Sequence, residues 1–193
     1  MCNGTVTTER GTLYKPVHAD FFTIERGKPL VAVGAYCLMP THFHLLIKEN
    51  SEGGISKFMQ RIGTGFTNYF NVKHHHIGNV FIKPFRSKHI KDDRYFKRVA
   101  QYIHLNPAEL CEPNWKLGEV RNIRTLKNFV EKYEYSSLQD RLKTGRVESA
   151  IINNSDKDLF RDMPPLVEVL SEAATYYQEL SGMPIYRSDA SIV

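Results

Sequence analysis

Two short strings in this chain carry side chains that could do chemistry together. His42-Phe43-His44 sets two imidazoles two residues apart. In a strand, that period points both to one face of a sheet. Tyr102-Ile103-His104-Leu105-Asn106-Pro107 sets a phenol and an amide one helical turn apart, on one face of a helix. Neutral ring nitrogens of His42 and His44 can hold a divalent ion, and the side-chain oxygen of Asn106 can complete its shell. Such an ion polarises a non-bridging oxygen of a phosphodiester and stabilises charge in the transition state. Tyr102 is then the candidate nucleophile. A phenol titrates at about pH 10, so it needs help from a metal or from a guanidinium such as Arg98. Attack on phosphorus gives a phosphotyrosine and a free hydroxyl, and the link retains enough free energy to rejoin the strand without ATP. Each half also has a plainer reading. The histidines can be a structural or surface pair, Tyr102 can pack at a core edge, and Asn106-Pro107 can be a helix stop.

The elements that must position these groups are legible from hydropathy. Leu30 to Met39 is an apolar, β-branched and aromatic run that ends at the turn signal Pro40-Thr41, and Phe43 to Lys48 reads as a second strand. So short a connection predicts an antiparallel hairpin. Alternation places His42, His44 and Leu46 on one face, with Phe43, Leu45 and Ile47 on the other. Apolar residues from Ile55 to Phe70 fall at helical spacing, with Gly63 and Gly65 as a bend or a close backbone approach. Lys73 to Asn79, including His74-His75-His76, reads as a polar loop. Val80 to Ile90 reads as a strand interrupted by Pro84, hence edge or bulged.

Asp92-Asp93 supplies an N-cap and an acidic first turn for a helix through Leu105. Its buried face is Phe96, Val99, Ala100 and Ile103; the adjacent face carries Tyr95, Arg98, Tyr102 and Asn106. Further helices are expected over Leu126–Tyr135 and Leu166–Tyr177, with a polar break at Asn153–Asp158. This order points to an α+β sandwich with helices on an antiparallel sheet.

The 193 residues suit one domain with an appendage, and the net charge of +5 is unevenly spread. Between Lys73 and Arg98 eight Lys/Arg face only Asp92 and Asp93. Between Glu148 and Glu179 seven acids face only Lys157 and Arg161. A basic middle favours a polyanionic partner, although a solvated charged face is the plainer reading. Lys83, Arg86, Lys88, His89, Arg94 and Arg98 are the candidate phosphate-gripping residues, with Phe81, Phe85 and Tyr95 available to stack on unpaired bases. Three widely spaced cysteines indicate neither a disulfide framework nor a zinc knuckle. With no signal core and no membrane-length apolar run, a soluble, cytoplasmic protein without membrane contact is expected.

The strings LMPTHFHLLIK, ISKFMQRIGTGFTNYFN, VFIKPFRSKHI and DDRYFKRVAQYIHLNP together resemble the HUH single-tyrosine transposases, nearest the branch of REP-associated tyrosine transposases. The resemblance covers about residues 30–110, with a weaker continuation through Tyr133–Asp140; residues 1–29 match poorly. It implies a ferredoxin-like sheet and a Mg or Mn ion held by His42, His44 and Asn106, with Tyr102 as nucleophile. It also implies single-stranded or hairpin DNA as substrate, an active site formed in cis or across a homodimer, and a bacterial or archaeal cell with the protein at the nucleoid. The corresponding division is a transposase-like domain over 1–145 and an acidic helical extension over 146–193.

The chain is therefore expected to be a metal-dependent single-stranded DNA endonuclease and strand transferase. A second reading is an inactive, domesticated or truncated relative that binds structured nucleic acid without cutting it. A third is a zinc hydrolase using His42, His44 and either His89 or His104.

Overall fold

The structure is a computed structural model and describes residues 22, 27–81, 84–117, 119–142, 145–152 and 164–181. β1 (Val31–Leu38) and β2 (Phe43–Glu49) form the expected antiparallel hairpin, in the register Leu38↔Phe43 and Cys37↔His44. The turn is closed by Met39 N–H donating to the His42 carbonyl at 2.8 Å.

The hairpin is buried on both faces, and each face has its own helix. On one side Phe43, Leu45 and Ile47 pack with Val31, Val33 and Tyr36 against Ile55, Phe58, Met59 and Ile62 of α1 (Gly54–His74). On the other, Leu46 packs with Ala35 and Cys37 against Val99, Ala100 and Ile103 of α2 (Asp93–Leu105). In β1 the parity changes part-way: Val31 and Val33 face α1, whereas Ala35 and Cys37 face α2. A bulge between Val33 and Ala35 produces the switch by inserting one residue, Gly34, into the period of two.

The outer edge of β1 is covered by the strip that follows Tyr133. Leu38 N–H donates to the Tyr135 carbonyl at 2.8 Å, and Ser137 N–H donates to the Tyr36 carbonyl at 3.0 Å. Tyr36 N–H in turn donates to Ser137 Oγ at 2.8 Å. Covering that edge satisfies backbone groups that would otherwise offer a pairing template.

α1 runs without interruption through Gly63 and Gly65, and neither is a close approach. A Cβ at Gly65 would meet nothing within 4 Å, and one at Gly63 only a Phe81 carbon at 3.9 Å. The glycine that the packing requires is Gly54, where a Cβ would fall within 2.5 Å of the Leu30 carbonyl. His74 ends α1, His75 caps it with φ 51°, and His76 bonds to Asn71, so the triple histidine is an exposed helix end.

The strand expected over Val80–Ile90 does not form in its described part: residues 84–90 are irregular and nearly all exposed. Pro84 has no N–H to donate to a ladder. The segment instead borders a cavity of about 670 Å³ beside β2, lined by Leu46, Lys48, Ile90 and Phe96 among others. Among the described residues the sheet therefore has two strands, in an α+β arrangement.

After α2 come α3 (Ala108–Cys111), a 3-10 turn (Trp115–Leu117), α4 (Ile123–Lys132), α5 (Leu138–Leu142), a 3-10 turn at Val147–Ile151 and α6 (Leu166–Ser181). Trp115, Leu126, Val130, Leu170 and Ala173 form a second core with Leu105 and Ala108. The residues beyond 145 thus contribute Leu170 and Ala173 to this core, and Ile152 to the α1 face of the hairpin. The polar break at 153–158 lies outside the described residues. No helix among the described residues is long and apolar enough to cross a membrane.

Candidate functional site

α2 is positioned by its cap. Asp92 accepts a 2.8 Å hydrogen bond from Tyr95 N–H, and Asp93 supplies negative charge to the first turn. With Val99, Ala100 and Ile103 buried on the sheet, the next face of the helix turns Tyr102 toward β2. The Tyr102 ring meets His44 edge-on, with centroids 5.6 Å apart, and His44 meets His42 edge-on at 4.9 Å. Three rings from two elements thus form one contiguous group. His44 is buried, while His42 and Tyr102 are each partly accessible.

Asn106 follows Leu105 as the C-terminal cap of α2 and is buried. Its Nδ2 donates to the Tyr102 carbonyl at 2.9 Å, which leaves Oδ1 as the atom suited to face a cation. At the other end of the group, Thr41 Oγ1 lies 3.1 Å from His42 Nδ1 and so constrains that ring. Burial pushes the His42 imidazole below its usual pKa; Glu109 acts in the opposite sense, and Lys116 adds to the lowering. The neutral ring is the form that can ligate a metal.

Glu109 and Lys116 were not found from sequence. Lys116 Nζ lies 3.0 Å from Glu109 Oε2 and 5.7 Å from the centre of the Tyr102 ring. They come from α3 and the 3-10 turn, beyond both motifs.

The candidate phosphate contacts are less concentrated. Arg98 shares a cavity of about 160 Å³ with Tyr102, closed on the far side by Val169, Glu172 and Ala173 of α6. Lys88 and His89 line the larger cavity beside β2, and Lys88 Nζ stands 5.1 Å over the Tyr95 ring. Arg86 and Arg94 are exposed nearby in sequence; Lys83 lies outside the described residues. Phe81, expected to stack on bases, already packs between Phe43 and Phe66 at 5.8 and 5.6 Å.

A three-histidine zinc set is not assembled. His104 is fully buried, with Nε2 2.9 Å from Ser137 Oγ, and burial first, then Arg141, pushes its pKa down to about 3. His89 is exposed in the irregular segment. Among the described residues no group of three or more His, Cys, Asp or Glu could hold a metal; His42 and His44 are in ring contact, and the Asn106 amide is buried at the end of α2.

The family described as "Transposase IS200 like" matches residues 24–106. Over this segment the chain is similar to the IS200-like transposases, in support of the resemblance to the HUH single-tyrosine family. The transposase segment begins inside the poorly patterned N-terminal stretch and ends on Asn106, so it holds both histidines, Tyr102 and the amide while leaving out Glu109 and Lys116. That likeness supports DNA transposition as the general activity and DNA as the partner. No curated protein and no solved structure matches the chain.

Proposed function

We propose that this protein is a strand transferase that cleaves and rejoins single-stranded DNA through Tyr102, in the manner of the REP-associated branch of its family. The observation that carries the reading is the edge-on contact of Tyr102 with His44, itself against His42. Attack of the phenol oxygen on phosphorus forms a P–O bond to Tyr102 and breaks the bond to the leaving sugar oxygen. The phenol loses its proton, and the leaving oxygen ends as a free hydroxyl. Reversal by a different strand's hydroxyl releases Tyr102 and joins that strand.

Two imidazole nitrogens and an amide oxygen would be a mixed donor set: the amide oxygen suits Mg or Mn, whereas the imidazoles favour borderline transition metals. When bound, such an ion supplies Lewis-acid stabilisation of charge on the phosphate. His42 and His44 would hold it, with Asn106 Oδ1 as third ligand. Asn106 has a further role, tying its amide to the Tyr102 carbonyl and so fixing the end of the helix that bears the nucleophile. Arg98 is placed to hold a phosphate next to the one attacked. Lys88, His89, Arg86 and Arg94 offer a more distant path for hairpin DNA. Because Tyr102 lies against His44 of its own chain, the reading favours a site complete in cis, which does not need a homodimer.

The test is incubation of labelled, hairpin-bearing oligonucleotides with the protein and Mn. A covalent protein–DNA band is expected for the wild type and none for Tyr102→Phe. Equal cleavage by both variants means that another nucleophile acts. Binding that weakens with salt, without any covalent band, would instead favour the non-cleaving relative.

A further inference from the structure

The family match ends at Asn106, yet a cation that the structure sets over the Tyr102 ring comes from ten residues beyond. Lys116 Nζ stands 5.7 Å from the centre of that ring and 6.0 Å from the Trp115 ring. Trp115 is anchored in the second core, only 1% exposed, so it fixes the backbone from which Lys116 extends. The ammonium is paired with Glu109 at 3.0 Å, and the two side chains are 29% and 50% exposed. Both charges also act on His42. One ammonium therefore lies over the tyrosine ring and acts on His42 as well.

A phosphodiester attacked by Tyr102 and facing His42 and His44 must enter the space these three side chains share. We propose that Lys116 is a phosphate-binding residue of this site, held by Glu109 until a DNA phosphate displaces the carboxylate. The proposal rests on the strand-transfer reading above and adds the group that receives the scissile phosphate. The chemistry is suited to it. An ammonium is a compact point charge with three donors on a flexible stem, able to change partner without a fixed fork geometry. The carboxylate keeps it oriented in the empty site and competes with the incoming anion. The pair thus sets affinity from both directions: loss of Lys116 weakens DNA binding, and loss of the Glu109 charge strengthens it.

A purely structural pair behaves differently. If Lys116 and Glu109 only tie α3 to the 3-10 turn, removing either breaks the same contact. Both changes then lower thermal stability, and neither moves DNA affinity in opposite directions.

The experiment measures binding of a hairpin oligonucleotide with a single-stranded flank, over a range of salt, in the Tyr102→Phe background where no cleavage occurs. Lys116→Met is expected to weaken binding about tenfold and to reduce the slope of log affinity against log salt by about 0.7, one single-strand phosphate contact. Lys116→Arg should restore most of the affinity, and Glu109→Gln should raise it several-fold. In the Tyr102-containing protein, Lys116→Met should slow covalent adduct formation by about a hundredfold. Melting temperatures of all variants separate misfolding from lost contact, and Glu109→Gln reads the proposal even if Lys116→Met proves unstable. Unchanged salt slope in Lys116→Met together with unchanged or weaker binding by Glu109→Gln overturns the proposal. Failure of the strand-transfer reading shows separately, as absence of adduct from the wild type.

Discussion

The ring of Tyr102 meets the ring of His44 at 81°, with centroids 5.6 Å apart. This contact does two things: it brings a phenol beside the His44 imidazole, and it packs α2 onto the sheet. The two roles separate by substitution. Tyr102→Phe keeps the ring, and its stability should lie within about 0.5 kcal/mol of wild type. Tyr102→Ala removes a partly buried ring from between two cores and should cost about 2–3 kcal/mol. Both should lose the covalent DNA adduct. Urea unfolding alongside the adduct assay distinguishes them.

That contact also predicts the outcome of mixing. Tyr102→Phe keeps intact histidines, and His44→Ala keeps an intact tyrosine. Where each chain completes its own site, a mixture of the two variants should form no more adduct than either alone. Recovery of adduct in the mixture would place the tyrosine helix across a dimer.

Asn106 serves Tyr102 through its backbone as well as through any bound ion. Asn106→Ala removes the 2.9 Å bond from Nδ2 to the Tyr102 carbonyl, worth about 1 kcal/mol of stability. The same change would remove the proposed third ligand, an oxygen beside two imidazole nitrogens, and the Mn concentration for half-maximal adduct formation should rise about tenfold or more. Asn106→Gln retains an amide oxygen and should recover part of the Mn affinity. A titration of adduct yield against Mn for the three proteins reads both effects.

The hairpin, α1 and α2 were legible because each carries its period in consecutive residues, and the short Pro40-Thr41 connection leaves little freedom between strands. The same local patterns placed His42, His44, Tyr102 and Asn106 on usable faces. What was not legible depends on distant partners. Val80 to Ile90 has strand-forming residues, but propensity supplies no neighbour with which to pair. The parity switch at Gly34 is hidden within an unbroken apolar run. Ser137 joins Tyr36 of β1 to His104 of α2, residues far from it in sequence. Lys116 comes to lie over the Tyr102 ring, with Glu109 as its partner, from a 3-10 turn beyond both motifs.

His104 predicts a pH dependence of folding. Its folded pKa, pushed to about 3 by burial and Arg141, lies below its ordinary value of about 6.5. The unfolded chain therefore binds the extra proton first as pH falls. His104 contributes stability fully present above about pH 6.5 and progressively lost toward pH 3, at up to about 1.4 kcal/mol per pH unit. Denaturant midpoints should fall with acid over that window, and His104→Gln should flatten the fall. The Gln variant would also be less stable at pH 7 if it fails to bond Ser137. An unchanged slope would mean that the imidazole is protonated in the folded state at the same pH as in the unfolded chain.

Two glycines in α1 should respond oppositely to the same substitution. At Gly54 a Cβ would lie 2.5 Å from the Leu30 carbonyl, which also accepts from Asn50 N–H at 3.0 Å. Backbone on both sides cannot swing away like a side chain, so Gly54→Ala must shift the start of α1 away from β1 and should cost about 2 kcal/mol. At Gly65 the position is helical and open, with nothing near a Cβ. Gly65→Ala gains helix propensity and loses no contact, so it should stabilise by about 0.5–1 kcal/mol. Paired thermal melts give the signs directly. Equal effects at the two sites would show that α1 does not hold its close approach to Leu30 in solution.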